Sequence, residues 1–201
     1  MASILYVNSC PRGGLSRTRR LGDAFLQGME GETVLVHDLP ALRLPPFEEK
    51  SLARREALCD ARAFEDPMFD RAREFQSADC VVIAAPYWDL SFPSMLKVWV
   101  EHMFVRNLTF VYRDNQPIGL CRAQQMVYLT TSGSPIGAND WGYLYMQAVA
   151  HMLGIRDCFR ISAEGLDIDG ADTEGLVQKA CVEARALAAA LRDARKEQDV
   201  H

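Results

Sequence analysis

Apolar residues are concentrated in five short runs along the chain, and these runs are rich in β-branched side chains. Runs of this length and composition are typical of β-strands. The third run is apolar at every position, which indicates a strand that is buried on both faces of its sheet. The runs are ILYV at 4–7, TVLV at 33–36, CVVIAA at 80–85, MVYLTT at 126–131 and CFRISA at 158–163.

Between the runs, apolar residues recur every three or four positions, as they do on the buried face of a helix. One helix is predicted from about Pro93 to Met103, because proline is favoured in a first helical turn. The predicted buried faces are Leu21, Ala24, Phe25, Gly28 and Met29; Leu96, Trp99, Val100 and Met103; Trp141, Leu144, Tyr145, Ala148, Val149 and Met152; and Val177, Ala180, Cys181, Ala184, Leu187, Ala188 and Leu191.

Strands that alternate with helices predict a parallel sheet with helices on both faces, because right-handed crossovers connect the strands. We therefore expect an α/β protein with a five-stranded sheet of flavodoxin-like order 2-1-3-4-5. The length of the chain predicts a single domain over residues 1–201. The polar tail from about residue 193 is expected to be frayed.

Two segments interrupt the alternation. The proline-rich stretch 39–50 predicts a loop, and the charged segment that follows it predicts a helix ending near Ala63. The stretch 107–120 predicts an extended excursion or hairpin around Asp114 and Asn115, which are turn-forming residues.

Composition excludes several classes of protein. A net charge of -5 without a basic stripe argues against a nucleic-acid binder, and no apolar stretch approaches the ~20 residues of a membrane span. The N-terminus lacks the pattern of a secretory signal. The six cysteines form no CxxC pair and have no ligand spacing with the four histidines, which predicts reduced thiols of a cytoplasmic protein and no metal site.

The loop after the first run, NSCPRGGLSRT at 8–18, suits a phosphate group. Ser9, Ser16 and Thr18 supply hydroxyl groups, and the helix that begins there presents free N–H groups and a partial positive charge. A capped helix after a tight turn explains the same residues equally well. A cysteine phosphatase is disfavoured, because Arg17 lies one position too far from Cys10.

Two further loops lie at the carboxyl ends of predicted strands, where open parallel sheets bind ligands. Pro86, Tyr87 and Trp88 would offer flat surfaces to a planar ligand, or would simply pack against a neighbouring helix. The loop at 130–140 combines glycines with hydroxyl groups, or merely caps the next helix. Each loop is a weak signal, but together the three describe a cradle for flavin mononucleotide, FMN.

The chain resembles the flavodoxin-like, FMN-dependent NAD(P)H quinone reductases and azoreductases. The resemblance covers most of the chain and rests on the S-x(6)-S-x-T pattern at residues 9–18 and on three longer stretches. These stretches are ADCVVIAAPYWDLSFPSMLKVWVEH at 78–102, NLTFVYRDNQPIGL at 107–120 and GIRDCFRISAEGLDI at 154–168.

The resemblance implies a role for each matching residue. It places the FMN phosphate on Ser9, Ser16 and Thr18. It places the isoalloxazine ring between two groups of residues, which are Pro86, Tyr87, Trp88 and Asp89 on one side and Thr131, Ser132, Gly133 and Ser134 on the other. It also implies a homodimer in which Tyr112 reaches the partner subunit's active site.

Three positions depart from the family pattern. Asp89 stands where an asparagine is usual, Leu90 where an aromatic residue is usual, and Ser132 where an arginine is usual. A carboxylate at position 89 would disfavour the anionic reduced flavin if its side chain met the ring. These changes affect substrate preference more than cofactor binding.

The implied activity is a two-electron, ping-pong transfer of hydride from NADH or NADPH through FMN to a quinone or an azo compound. An electron-carrier flavodoxin is an alternative, although such carriers are usually more acidic and monomeric. A flavin-binding module without turnover is another, which the departures at Asp89 and Leu90 leave open. Either ring nitrogen of His102 or His151 has the chemistry of a proton donor, but both residues fall in helical patterns and are more simply structural.

Overall fold

The computed structural model of the chain describes residues 3–198. Its central sheet has five parallel strands, and their order is β2-β1-β3-β6-β7. This is the predicted order 2-1-3-4-5, counted over the strands of this sheet. The strands are β1, Ser3–Asn8; β2, Thr33–Asp38; β3, Cys80–Ala84; β6, Gln125–Thr131; and β7, Asp157–Ala163.

A separate antiparallel hairpin lies between β3 and β6 in the chain, where the sequence predicts an excursion. It consists of β4, Phe110–Arg113, and β5, Gln116–Gly119. The two turn residues Asp114 and Asn115 have φ of 50° and 60°, the left-handed conformation that a two-residue hairpin turn requires. The hairpin prediction is therefore confirmed.

Helices cover both faces of the sheet, as predicted. They are α1, Arg17–Gly28; α2, Leu39–Leu42; α3, Glu49–Asp60; α4, Asp70–Ser77; α5, Ser94–Met103; α6, Trp141–Met152; and α7, Thr173–Gln198. Single 3-10 turns form at Gly13–Leu15 and Pro67–Phe69.

Alternate residues of each strand divide the core into two layers. Ile4 of β1 packs with α1 and α7 on one face, whereas its neighbour Leu5 packs with α4, α5 and α6 on the other. Every residue of β3 is buried, because this strand lies at the centre of the sheet. Because the five strands are parallel, their carboxyl ends lie at the same edge of the sheet. The helices that pack against the two faces do not fill this edge.

Two predictions need correction. The stretch 39–50 is not a loop throughout, because α2 begins at Leu39 and α3 begins at Glu49.

In α6, Trp141, Leu144 and Ala148 of the predicted buried face are exposed despite their helical spacing. The buried residues of α6 are Gly142, Met146, Val149 and Ala150. The helix α4 was not predicted, because a helix of eight residues shows too few apolar repeats. The helix α7 continues through Gln198, and fraying of the tail from about residue 193 stays a prediction. Residues 199–201 lie outside the described part of the chain.

The described residues contain no helix that is both long and apolar enough to cross a membrane.

A buried histidine on β2 is held by partners on both ring nitrogens. His37 Nδ1 accepts a hydrogen bond from Trp99 Nε1 at 2.9 Å, so its proton resides on Nε2, which lies 2.8 Å from Glu74 Oε2. Burial lowers the pKa of His37, against the smaller opposing effect of Glu74. A second proton would place two donors, Nδ1 and Trp99 Nε1, face to face.

We therefore expect acid to destabilise the protein through His37. Because its pKa is lower in the folded protein, the unfolded chain binds the proton first, and stability is lost as pH falls below the unfolded pKa of about 6.5. His37→Gln, which can accept or donate but does not titrate, is expected to flatten the dependence of unfolding free energy on pH between about 5 and 7. His151→Gln, on the exposed side of α6, is the control. An equal pH slope in wild type and His37→Gln would contradict this assignment.

Candidate functional site

A cleft opens at the carboxyl edge of the sheet, where the loops after β1, β3, β6 and β7 meet. It encloses about 170 Å3. Its lining consists of Pro11, Arg12, Leu15, Ser16, Arg17, Thr18, Pro86, Tyr87, Trp88, Thr131, Ser132, Gly133, Leu166 and Asp167. Four segments that are distant in the sequence thus form one concave surface.

The loop after β1 presents the start of α1 to the cleft. Ser16 is the N-cap, and its Oγ accepts a hydrogen bond from Arg19 N–H at 3.2 Å. The N–H groups of Arg17 and Thr18 in the first turn have no hydrogen-bond partner within residues 3–198. Together with the positive end of the helix dipole, these two free donors suit an anionic group such as a phosphate.

The hydroxyl groups of Thr18, Thr131 and Ser9 add to these backbone donors. Thr18 Oγ1 and Thr131 Oγ1 share a hydrogen bond of 2.6 Å, which joins α1 to the end of β6. Ser9 is fully buried, and its N–H donates to Ala84 O at 2.8 Å, but its Oγ has no partner within the described residues. A buried hydroxyl without a partner is costly, so Ser9 Oγ is suited to a group that enters the cleft.

The loop after β3 forms a tight turn beside the cleft. Trp88 and Ser91 exchange backbone hydrogen bonds of 3.1 and 2.8 Å, so that Asp89 and Leu90 occupy the two central positions. Both adopt the left-handed conformation, with φ of 48° and 66°. Their N–H groups have no partner within the described chain, which leaves two backbone donors for the polar edge of a ligand.

The third and fourth walls are the loops after β6 and β7, which are hydrogen-bonded to each other. Leu166 N–H donates to Ser132 O at 3.1 Å, and Asp167 N–H donates to Gly133 O at 2.9 Å. A Cβ at Gly133 would overlap the Asp167 carboxylate. Glycine at position 133 therefore allows the two loops to approach closely.

The structure brings together most of the residues that the sequence and its resemblance predict for the site. Eight of them line the cleft, and they are Ser16, Thr18, Pro86, Tyr87, Trp88, Thr131, Ser132 and Gly133. Ser9 is buried next to the lining, whereas Asp89 and Ser134 adjoin lining residues without lining the cleft themselves. Tyr112 lies on the hairpin, exposed and outside the lining.

Sequence reasoning missed the loop after β7, which contributes Leu166 and Asp167. It considered only the loops that follow the first, third and fourth strands of the sheet. The rule that ligands bind at the carboxyl edge applies to the fifth strand as well, and the acidic stretch that follows CFRISA was the available signal.

Cys10 lies beneath the loop and not in the cleft. Its side chain is fully buried, and Sγ lies 3.5 Å from Ala84 O. Burial raises the pKa of the Cys10 thiol to about 11, so the nucleophilic thiolate is not formed near neutral pH. These properties argue against the cysteine phosphatase.

Comparison with known proteins agrees with the fold. A family model described as "Flavodoxin-like fold" matches residues 2–188. An azoreductase from Bacillus anthracis superimposes with a TM-score of 0.83 at 20% identity, covering 94% of this chain and 99% of that one. An FMN-dependent NADH-azoreductase from the same species, solved in complex with FMN, gives a TM-score of 0.82 at 22% identity, covering 96% and 100%.

Curated relatives match over nearly their whole length. The FMN-dependent NADH:quinone oxidoreductase 2 of Clostridium acetobutylicum is 29% identical over 196 residues, which cover 92% of this chain and 97% of the relative. The FMN-dependent NADH:quinone oxidoreductase of Clostridium beijerinckii is 28% identical over 196 residues, which cover 94% and 98%.

Proposed function

Because the chain belongs to the family with the flavodoxin-like fold, we propose that it is an FMN-dependent oxidoreductase that uses NADH to reduce quinones or azo compounds. The observation that carries this proposal is the convergence of the loops after β1, β3 and β6 on one cleft. Curated relatives of the same length are named for this activity with quinones.

The donor set of the cleft fits the phosphate of FMN. The free N–H groups of Arg17 and Thr18 point from the positive end of α1, and the hydroxyl groups of Ser9, Ser16 and Thr18 are the side-chain donors that we assign to the phosphate. The unpartnered Oγ of Ser9 supports this assignment, since a bound phosphate would supply its missing partner.

The remaining walls suit a flat ring. Pro86, Tyr87 and Trp88 offer one flat wall, and the free N–H groups of Asp89 and Leu90 are placed for the ring's polar edge. Thr131, Ser132 and Gly133 line the cleft from β6, and we assign Ser134 beside them to the same surface. Glycine at position 133 lets the Asp167 side chain lie against this wall.

Bound FMN supplies the hydride chemistry that links oxidation of NADH to two-electron reduction of the acceptor. The residues of the chain bind and orient the cofactor, and they exclude water from the cleft. Trp88 and Leu90 are exposed beside the cleft, where they present apolar surface to a flat nicotinamide or acceptor. We propose a ping-pong order, in which NADH and the acceptor use the cleft in turn, and no side chain is required as an acid or base.

We further propose a cytoplasmic homodimer, in which Tyr112 reaches the active site of the partner subunit. The hairpin exposes Tyr112 and Ile118, and α6 exposes Trp141 and Leu144, so both elements offer large apolar side chains that a partner subunit would cover. Sedimentation analysis tests the dimer, and a monomer at micromolar concentration would refute it.

The first test is the visible absorption spectrum of the purified protein, followed by identification of the cofactor that denaturation releases. Flavin bands, a released mononucleotide and oxidation of NADH with menadione as acceptor are expected. A protein that binds FMN but does not consume NADH would instead be a flavin-binding module or electron carrier. A colourless protein that fails to bind added FMN would refute the proposal.

Cys10→Ala is expected to retain FMN and most of the wild-type turnover, because the thiol is buried and protonated beneath the loop. Turnover with menadione and the flavin content of the purified variant are the measurements. Cys181→Ala, which changes another buried cysteine that lies on α7, is a matched control for the loss of a core thiol. Loss of turnover in Cys10→Ala with flavin still bound would mean that the thiol takes part in the chemistry.

A further inference from the structure

An ion pair spans the cleft between two of its walls. Arg17 Nη1 lies 2.7 Å from Asp167 Oδ1. Arg17 is the first residue of α1, and Asp167 lies in the loop after β7, 150 positions away in the chain. Both residues line the cleft, so the pair connects the wall that begins α1 with the wall formed by the loop after β7.

The main chain of Asp167 is anchored to the loop after β6, although its side chain is 66% exposed. Asp167 N–H donates to Gly133 O, and the space beside Gly133 that a Cβ would need is taken by Oδ2 of Asp167. The carboxylate therefore rests against the loop after β6 and presents its other oxygen, Oδ1, to Arg17.

The charges of the pair have opposite effects on an anion at the start of α1. The guanidinium of Arg17 has five N–H donors, and the bond from Nη1 to Asp167 leaves most of them free for other acceptors. The Asp167 carboxylate by itself would repel an anion, but its charge is balanced while Arg17 is paired with it. Arg12 is the other cation of the lining; its carbonyl accepts a hydrogen bond from Leu15 N–H, but its side chain has no hydrogen bond or ion pair within residues 3–198.

We propose that Asp167 is a positioning residue for the cofactor, which holds the Arg17 guanidinium across the cleft so that its free N–H groups bind the flavin phosphate. This inference rests on the proposed function. It assigns to the loop after β7 a part in cofactor retention that acts entirely through Arg17. Removal of the Asp167 charge must then weaken FMN binding when Arg17 is present and strengthen it when Arg17 is absent.

The test is a double-mutant cycle on the binding of FMN to apoprotein, followed by quenching of flavin fluorescence. Arg17→Gln is expected to raise the dissociation constant about 30-fold, the loss of a hydrogen bond to a charged group. Asp167→Asn alone is expected to raise it about threefold, because Arg17 is then free to leave the cleft. In the Arg17→Gln background, Asp167→Asn is expected to lower the dissociation constant by about threefold, because an unbalanced carboxylate is removed.

Three controls separate positioning from a general structural effect. Riboflavin lacks the phosphate, so its affinity is expected to be the same in all four proteins of the cycle. Arg20→Gln removes an ion pair with Glu174 on the same helix, whose arginine is similarly exposed but does not line the cleft, and it is expected to leave FMN binding unchanged. Asp167→Glu keeps the charge and is expected to restore wild-type affinity.

The inference is overturned if Asp167→Asn changes FMN affinity in the same direction in both backgrounds, or if riboflavin affinity changes in parallel with FMN affinity. Failure of the proposed function is a different result, because the wild-type protein would then bind neither flavin. That result would remove the inference as well, since no phosphate would enter the cleft.

Discussion

Gly119→Ala is expected to lower the free energy of unfolding by at least about 3 kcal/mol, a large fraction of the total stability of an ordinary domain. A Cβ at this position would overlap the main-chain atoms of Leu153 and Gly154. Rotation of a side chain cannot relieve an overlap with backbone atoms. The strain must therefore be relieved by displacing either the hairpin or the turn after α6.

The close approach at Gly119 anchors the foot of the hairpin. Cys121 N–H donates to Leu153 O at 3.3 Å just beyond the contact, and Leu120 N–H donates to Thr109 O at 2.8 Å across the hairpin. Gly154 has φ of 87°, a conformation that favours glycine on the opposite side of the same contact. The position of Tyr112 in the proposed dimer thus depends on two glycines that face each other.

Urea unfolding followed by circular dichroism measures the effect. Gly14→Ala is the matched control, because a Cβ at Gly14 would have no neighbour within 4 Å, and its unfolding free energy is expected to stay within about 0.5 kcal/mol of wild type. A Gly119→Ala protein as stable as wild type would show that the hairpin is not packed against this turn.

Ser16→Asp is expected to weaken FMN binding by at least about a hundredfold while leaving α1 intact. Aspartate is as good an N-cap as serine, so the bond to Arg19 N–H is kept. Its carboxylate would lie beside the phosphate that we assign to the start of α1, and two like charges 4 Å apart near a protein surface repel by about 4 kcal/mol. Screening by salt and solvent reduces this figure, and about 3 kcal/mol corresponds to a hundredfold change.

Ser16→Asn is the matched control, because asparagine also caps helices and differs from aspartate only in charge. It is expected to bind FMN much more tightly than Ser16→Asp, with the same thermal stability, in a fluorescence titration of apoprotein. Riboflavin is expected to bind both variants alike. Equal FMN affinities for the aspartate and asparagine variants would place the phosphate away from Ser16.

Much of the fold follows from short-range patterns. The apolar run at 80–85 has no polar side chain to present to water, which requires a central strand such as β3. Helices between successive strands then require parallel pairing and right-handed crossovers, and the loops after β1, β3 and β6 must share one edge. The positions of Ser16, Tyr87 and Gly133 in one cleft follow from this topology alone.

The exposed face of α6 shows where periodicity ceases to be informative. Trp141 and Leu144 share helical spacing with Val149, yet only Val149 is buried. When a helix is apolar on several sides, its sequence is compatible with more than one buried face. The choice depends on which neighbouring helices and strands pack against it, and that information is not contained in the segment itself.

The pairing of Arg17 with Asp167 shows the same limit for the site. Neither residue has a local signature, and their contact depends on the crossing of two loops that are 150 positions apart in the chain. The periodicity of hydrophobic and polar residues indicates which face of a helix or strand is buried. An ion pair across a cleft depends instead on the distance between two such elements, which periodicity does not specify. The sequence could predict the strand order, the edge of the sheet that carries the cleft, and the hydroxyl groups of the first loop. Three features of the site depend on the distances between elements, which only the packed layers fix. They are the wall formed by the loop after β7, the ion pair of Arg17 with Asp167, and the Ser9 hydroxyl group without a partner in the described chain.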